Sequence, residues 1–361
     1  MRLLLTGGGT GGHVYPALVV LDWLRKTTEV EATWVGSQQG IERDLVARSG
    51  IEYAGLPAGA LRGRGPVGIA HGLLATVAGV RAAHSLLGHH RPDVVLATGG
   101  YVSTPAVLAA RLRRIPVVVY LPDVVPGWAV RALGRIANVV ATTSPEARRH
   151  LPGARVVVTG YPVRPGFLPR DAAAARRRFG LDPCRFTVTV AGGSLGATRL
   201  NDAIAAELER LLAAGQVIHL TGRADFERIA ALRDGLPSDC RDRYYPAAYL
   251  DAEMPEALSA ANLIVSRAGA SVLGEYPAVG RGSLLVPGPF SSQLKNATYL
   301  ERLGAAEVLP NERAAEIPDR VLNLSATPEL LRAMADAAAK LSRPAAAADL
   351  GRLLIDLAGR R

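Results

Sequence analysis

A glycine-rich segment near the start of the chain carries the first residue types that could do chemistry. Residues 6–16 read TGGGTGGHVYP and follow a short apolar run. Glycines let a backbone approach a ligand closely, and amides at the start of a helix favour negative charge. The segment therefore predicts an anion or pyrophosphate site that includes Gly11 and Gly12. His13 could act there as a general base, or it could simply cap or pack the helix.

The same glycines raise the alternative of a dinucleotide enzyme. Gly7, Gly9 and Gly12 satisfy the pattern G-x-G-x-x-G, which is typical of NAD-binding folds. Such a site also needs an acidic residue at the end of the second strand, where it holds the ribose. Residues 35–38 read VGSQ and offer none, so the NAD-dependent oxidoreductase is the weaker of the two hypotheses.

Two later segments repeat the arrangement of a strand, a turn and a helix. Residues 191–197 read AGGSLGA, and residues 266–275 read SRAGASVLGE. In the first, Ser194 could donate to a phosphate; in the second, Glu275 is expected on the second helical turn, within reach of a sugar hydroxyl pair. Taken singly, each segment is equally typical of an ordinary turn and a solvated glutamate.

Short apolar runs supply the strands that must position these groups, and helix-length segments separate most of them. Continuously apolar runs are typical of parallel strands covered on both faces. The sequence therefore predicts two doubly wound α/β domains, residues 1–163 and 164–342, with a last helix at about 343–361 that packs back on the first. Ligands bind at the switch point of strand order in such sheets, so we expect the chemistry in a cleft between the domains. The ten predicted strands are Arg2–Thr6, Ala32–Gly36, Val94–Thr98, Val117–Leu121, Val139–Thr143, Val156–Thr159, Thr187–Ala191, Val217–Thr221, Leu263–Ser266 and Leu284–Pro287.

Composition excludes several protein classes. The chain has 361 residues, 49% hydrophobic and 20% charged, which is ordinary globular usage and argues against disorder or a coiled coil. Its two cysteines, Cys184 and Cys240, lie far apart and predict neither a disulfide framework nor a cysteine-built zinc site. The net charge is +10, and residues 1–163 hold +8 of it, with 17 basic against 9 acidic residues. That excess favours an anionic partner or simple solubility.

Five motifs together resemble the MurG family of N-acetylglucosaminyl transferases, which act on lipid I in peptidoglycan synthesis. The resemblance spans the whole chain, in order and at similar spacing. It implies a GT-B fold with two Rossmann-like domains, in which the second holds the sugar nucleotide and the first holds the lipid-linked acceptor. The motifs are Gly7–Pro16, residues 99–103 (GGYVS), residues 160–164 (GYPVR), residues 192–197 (GGSLGA) and Ser266–Glu275.

The resemblance also implies roles for individual residues. On the donor side it places Ser194 and Arg164 at the diphosphate and Glu275 on the ribose. Tyr249 and Leu250 match the segment that holds the uracil, while Gln293 and Asn296 match donor-sugar and helix positions. Acceptor-side or catalytic positions fall on Thr10, Gly11, Gly12, His13, Tyr101 and Asp123, with His13 and Asp123 as the candidates for the general base.

Three departures from the family pattern touch the substrate contacts. Residues 120–123 read YLPD where the family usually has His-Glu-Gln-Asn, so a carboxylate is missing from the acceptor side. Ser292 and Leu195 each replace a glutamine on the donor side. These changes bear on the exact substrates rather than on the reaction class.

The resulting functional hypothesis is an inverting transfer from UDP-N-acetylglucosamine to the muramyl 4-hydroxyl of undecaprenyl-linked lipid I, which forms lipid II. No D-x-D pattern occurs, so we expect a metal-independent reaction. The hypothesis includes no cofactor and no nucleic-acid partner. The alternatives are a related UDP-sugar transferase with another lipid acceptor such as diacylglycerol, the NAD-dependent oxidoreductase, and a non-catalytic nucleotide-binding module.

A membrane contact is predicted from one apolar segment. Residues 65–80 are apolar, too short to span a bilayer, and flanked by Arg62, Arg64 and Arg81. Such a segment is typical of a helix lying against anionic lipid, or of a buried core helix. Because the family's acceptor is lipid-linked, we expect a peripheral protein on the anionic inner leaflet, at the cytoplasmic face of the plasma membrane.

Overall fold

The computed structural model describes residues 1–8, 11–38, 42–57, 66–193, 196–289 and 291–359. The chain forms two compact units. Unit 1 comprises Met1–Pro165 with Arg343–Arg361, and unit 2 comprises Gly166–Ser342. Each is built on one parallel sheet.

Unit 1 has a seven-stranded sheet in the order β3-β2-β1-β4-β5-β6-β7. Its strands are β1 Arg2–Thr6, β2 Glu31–Ser37, β3 Glu52–Leu56, β4 Val94–Ala97, β5 Val117–Leu121, β6 Val139–Thr142 and β7 Val156–Val158. Its helices are α1 Gly11–Thr27, α2 Glu42–Ala47, α3 Pro66–His90, α4 Ser103–Leu112 and α5 Trp128–Gly134, a 3₁₀ helix Pro145–His150, and the C-terminal helix Ala346–Ala358.

Both faces of this sheet are covered, which explains its continuously apolar strands. Side chains alternate along a strand, and β1 shows the result: Leu3 and Leu5 join the core on one face, and Leu4 joins the core on the other. The helix Ala346–Ala358 packs against α1, where Gly351 lies so close to the ring of Trp23 that a Cβ would collide with it. The end of the chain therefore belongs to unit 1.

Unit 2 has a six-stranded sheet in the order β10-β9-β8-β11-β12-β13. Its strands are β8 Thr187–Ala191, β9 Gln216–Leu220, β10 Tyr244–Ala247, β11 Leu263–Ser266, β12 Ser283–Leu285 and β13 Ala306–Val308. Its helices are α6 Ala172–Arg178, α7 Thr198–Ala206, α8 Leu208–Ala214, α9 Phe226–Ala230, α10 Leu232–Gly235, α11 Ser238–Arg241, α12 Met254–Ala260, α13 Val272–Val279, α14 Ser291–Arg302, a 3₁₀ helix Asn311–Glu316, α15 Ile317–Ser325 and α16 Pro328–Lys340. The C-terminal helix of unit 1 is accordingly α17.

The predicted fold class, two doubly wound α/β domains, is confirmed. All ten predicted strands are present within one or two residues of their expected bounds, and three further strands, β3, β10 and β13, lie at sheet edges. Strand order reverses between β1 and β4 in unit 1 and between β8 and β11 in unit 2. The glycine-rich segments follow β1 and β8, so each lies at the switch point of its own sheet. Among the described helices, none is long and apolar enough to cross a bilayer.

Candidate functional site

Two glycine turns meet at the switch point of unit 1. Gly8 follows β1 and Gly100 follows β4, and these strands pair in parallel. The Gly8 carbonyl oxygen lies 3.0 Å from where a Cβ of Gly100 would stand, and Gly100 has φ +80°. Only glycine allows so close an approach at that φ. The two glycine turns therefore pack backbone against backbone at the edge of the sheet where a ligand would bind.

His13 stands on the first turn of α1, beside this pair of turns. Its ring lies under 4 Å from where a Cβ of Gly99 would be, and it donates a hydrogen bond to the backbone of Gly8. Burial lowers the pKa of His13 below its ordinary value, against the opposing effects of the Asp123 carboxylate and of that hydrogen bond. A neutral imidazole that donates from one nitrogen carries a lone pair on the other, as a general base requires.

The structure therefore brings His13 and Asp123, both predicted as base candidates, into one electrostatic neighbourhood. Asp123 is half-buried just beyond β5, and Tyr101 is 41% exposed just beyond β4. Gly12 accepts a hydrogen bond from the Tyr161 hydroxyl at 3.5 Å, and Gly11 begins α1. Thr10 lies outside the described residues.

The residues that depart from the family pattern at the end of β5 are part of the core. Tyr120 and Leu121 are fully buried. The Tyr120 hydroxyl lies 2.8 Å from Thr143 Oγ1 and donates to the Gly160 carbonyl at 3.1 Å, and burial raises its pKa well above the ordinary range. Because both side chains are buried, neither is placed to touch a substrate. Asp123 is therefore the polar side chain at this strand end that a substrate could reach.

Arg164 belongs to unit 1, although the sequence predicted a domain boundary just before it. Its guanidinium carbon lies 4.8 Å from the centre of the Tyr15 ring, a cation–π contact. Tyr15 stands on α1 two residues after His13. The contact thus holds a positive charge near the start of α1.

In unit 2 the second glycine segment lies against a neighbouring turn. Gly196 has φ +81°, and a Cβ there would be 2.7 Å from the Thr221 carbonyl oxygen at the end of β9. Gly192 and Gly193 follow β8 directly. Ser194 and Leu195 lie outside the described residues, and the phosphate contact of Ser194 stays a prediction.

Glu275 and Arg267 follow β11. Because α13 begins at Val272, Glu275 lies in the first helical turn rather than the second, and it is half-buried. Arg267 donates to the Val286 carbonyl at 3.0 Å and to Asn311 Oδ1 at 2.6 Å. Burial, and then the nearby charge of Arg199, lower the pKa of Arg267. Two guanidinium groups near one strand end favour an anionic ligand.

Gln293 and Asn296 lie on α14, each tied to a neighbouring loop. Gln293 Oε1 accepts from the Gly288 amide at 2.7 Å, which leaves its NH₂ group as the part that can donate to a ligand. Asn296 is fully buried and donates to the Ala268 carbonyl at 3.2 Å. Its side chain therefore supports the loop after β11.

Tyr249 and Leu250 follow β10 but differ in exposure. Tyr249 is half-buried, whereas Leu250 packs into a core cluster with Ile218 and Leu220. Only the backbone of Leu250 can contact a base.

A buried histidine in β9 was not among the predicted residues. His219 is fully buried between Tyr244 and Asn201, and burial lowers its pKa to about 3. It stands in an apolar strand, and nothing in its sequence context distinguishes it from a residue that merely packs.

We expect His219 to make stability fall on mild acidification. Its pKa is lower in the folded chain than the ordinary 6.5, so its contribution is complete above pH 6.5 and is lost as pH falls towards 3. The loss is about 1.4 kcal/mol per pH unit in that window. Urea unfolding at pH 7 and at pH 5 measures how far the free energy of unfolding falls between the two. That fall should be roughly 1–2 kcal/mol smaller in His219→Gln than in the parent protein. Equal falls in both proteins would contradict this.

Comparison with known proteins shows which family this chain belongs to. The glycosyltransferase family 28 N-terminal domain matches residues 3–142, and the family's C-terminal domain matches residues 187–350. The chain belongs to glycosyltransferase family 28. This membership confirms the predicted resemblance and favours a glycosyltransferase over the oxidoreductase and the non-catalytic module.

Relatives within family 28 match over their full length. The UDP-N-acetylglucosamine--N-acetylmuramyl-(pentapeptide) pyrophosphoryl-undecaprenol N-acetylglucosamine transferase of Roseiflexus sp. (strain RS-1) is 40% identical, over 100% of this chain and 96% of its own. The protein of the same name from Desulforudis audaxviator is 36% identical, over 100% and 99%. The crystal structure of Acinetobacter baumannii MurG superposes with a TM-score of 0.79 at 27% identity, over 98% of this chain and 99% of that one.

The fold extends beyond family 28. UDP-GlcNAc 2-epimerase from Neisseria meningitidis has a TM-score of 0.64 at 16% identity, over 99% of this chain and 100% of that one. At that identity the likeness concerns the fold alone. Within the described part of the chain, no group of three or more His, Cys, Asp or Glu side chains is arranged to hold a metal ion.

Proposed function

We propose that this chain transfers N-acetylglucosamine from UDP-N-acetylglucosamine to the muramyl 4-hydroxyl of an undecaprenyl-pyrophosphate-linked muramyl peptide. The observation that carries the proposal is full-length similarity, at 40% and 36% identity, to two transferases named for that reaction. The matched family 28 domains and the paired glycine turns at each switch point support it.

On the donor side, we assign UDP binding to unit 2. The N-terminal end of α7, which follows the glycine turn after β8, and the positive charges of Arg267 and Arg199 suit a diphosphate. Glu275 would accept hydrogen bonds from the ribose hydroxyls, and the Gln293 amide would donate to the sugar. Such groups stabilise departing UDP by charge and hydrogen bonding alone.

On the acceptor side, we assign proton removal to His13. As the muramyl 4-hydroxyl attacks the anomeric carbon from the face opposite UDP, its proton passes to the imidazole, and the bond to the UDP oxygen breaks with inversion. The lowered pKa of His13 keeps the ring neutral before the step. Asp123 would then stabilise the imidazolium that forms.

A nucleotide thermal-shift panel tests the donor class. UDP and UDP-N-acetylglucosamine should each raise Tm, because a ligand that binds only the folded state stabilises it by about 2.7 kcal/mol at 100 times Kd. NAD should leave Tm unchanged. A shift with NAD and none with UDP would contradict the proposal.

We also propose a peripheral contact with anionic membrane on unit 1. On α3, Leu74 is 68% and Val77 is 45% exposed, and these positions share one helix face. The helix that packs against α3, α4, ends in Leu112, which is 70% exposed. The exposed basic side chains on or just after these helices include Arg81, one turn beyond Val77, and Arg111 and Arg114, which flank Leu112 in the sequence. Exposed apolar side chains among arginines are typical of a helix that lies on lipid.

Vesicle flotation should show binding at low salt and release at high salt, since each basic side chain near an anionic surface adds about 1 kcal/mol that salt screens. The double variant Leu74→Ser, Val77→Ser should weaken binding while Tm stays unchanged, because both side chains are exposed. Leu330→Ser, at a 45% exposed position on α16 of unit 2, is the matched control and should bind as the parent does. Absent flotation at low salt, or equal binding by all three proteins, would contradict the contact.

A further inference from the structure

A series of buried hydrogen bonds links the core of unit 2 to the end of its sheet where we place the ligand. The chemistry of the bonded groups determines which atom donates the proton in each bond. Asn201 Nδ2 lies 2.8 Å from the Thr221 carbonyl oxygen and 2.8 Å from Asp225 Oδ2. Both partners only accept, so the Asn201 amide donates to them and its Oδ1 must accept. The group next to Oδ1 is His219 Nε2, at 3.1 Å.

The tautomer of His219 follows from that geometry. Nε2 must carry the proton, so Nδ1 of the neutral ring is an acceptor. Tyr244 OH lies 3.0 Å from Nδ1 and therefore donates to it. The Tyr244 hydroxyl therefore donates to His219 Nδ1, and His219 Nε2 donates to Asn201 Oδ1.

The far end of this series lies at the glycine segment assigned to the donor. Asn201 stands on α7, which follows that segment. The Thr221 carbonyl that it binds is the atom 2.7 Å from where a Cβ of Gly196 would be. Asp225, the other acceptor, also receives a side-chain hydrogen bond from Thr198 at the first position of α7. Asn201 thus ties the turn after β9 to the segment after β8.

We propose that His219 is a positioning residue for the sugar-nucleotide site, acting through Asn201 on the turns at Thr221 and Gly196. This rests on the proposed function, in which those turns hold the UDP diphosphate. An amide that lost its partner at Oδ1 would be a buried polar group without a hydrogen bond, and rotation of Asn201 to recover one would release the Thr221 carbonyl. Backbone at Gly196 would then shift, because the two are in contact.

The test separates positioning from mere stability with three variants. His219→Leu removes the donor to Asn201, His219→Gln supplies an amide donor in its place, and Tyr244→Phe removes only the bond at the other ring nitrogen. We expect all three to lower Tm. The KM for UDP-N-acetylglucosamine should rise about tenfold only in His219→Leu, stay within about threefold of the parent in His219→Gln and within about twofold in Tyr244→Phe.

Two results would overturn the inference: a parental KM in folded His219→Leu, or KM values that follow Tm across all three variants. If His219→Leu does not fold, a KM raised about tenfold in Tyr244→Phe would contradict a role through Asn201, because that variant leaves the bond from His219 to Asn201 in place. Nitrogen-15 NMR of the parent, assigned by the signal missing in His219→Gln, must show His219 protonated at Nε2; protonation at Nδ1 overturns the inference without any variant. Failure of the parent itself to bind UDP would instead refute the proposed function.

Discussion

Replacing His13 with alanine should lower kcat by about 100-fold or more while leaving the affinity for UDP unchanged. A positioned general base contributes about 10²–10⁴-fold, and His13 belongs to unit 1, whereas the proposed UDP contacts lie mostly in unit 2. Steady-state kinetics with saturating UDP-N-acetylglucosamine, together with calorimetry of UDP binding, measure the two quantities separately.

His89→Ala is the matched control, because His89 is an exposed histidine at the end of α3. It should retain parental kcat. A loss confined to the acceptor KM in His13→Ala would assign His13 to substrate positioning instead. A large loss of kcat in Asp123→Asn, with a mild one in His13→Ala, would reverse the roles of the two residues.

Replacing Glu275 with alanine should weaken UDP binding by about 1–3 kcal/mol, or roughly 5- to 150-fold in Kd, because a hydrogen bond to a charged group is worth that much. Glu275 is half-buried in the first turn of α13, just beyond the switch-point strand β11. The protein should remain folded, since the helix keeps its packed residues Val272, Leu273 and Tyr276. Isothermal calorimetry with UDP gives the affinity directly.

Glu329→Ala controls for the loss of a negative charge at a helix start, because Glu329 occupies the first turn of α16 in the same unit and is exposed. It should leave the affinity for UDP as it was. Unchanged affinity in folded Glu275→Ala, or an equal loss in both variants, would remove Glu275 from the ribose.

Most of the strands that the sequence predicted are more deeply buried than those it missed. Interior strands such as β4 and β5 are buried at every position, so they read as continuous apolar runs. The missed strands β3, β10 and β13 lie at sheet edges and are only partly buried. Their sequences EYAGL, YYPA and AEV include polar residues or proline, which edges tolerate. The edge strand β7 was predicted because its sequence, VVV, is apolar although the strand is only partly buried. Apolar patterning therefore finds an edge strand only when the strand itself is apolar.

In the candidate site too, some features could be predicted from the sequence and others could not. The glycine turn after β8 was predictable because its composition reflects a backbone requirement, as Gly196 shows. The roles of Tyr120 and Leu250 were not, since a motif position gives no sign that its side chain is packed into the core. The link from His219 to Asn201 joins residues 18 apart on different elements, and only the folded chain brings them together.

The central claim is tested most directly by incubating the purified protein with UDP-N-acetylglucosamine and a short-chain lipid I analogue, with a diacylglycerol as the competing acceptor. We expect one N-acetylglucosamine to be joined to the muramyl 4-hydroxyl through a β-linkage, the product of inversion from the α-linked donor, with equimolar release of UDP. Transfer to the diacylglycerol alone, retention at the anomeric carbon, or no transfer by a protein that binds UDP would contradict the account.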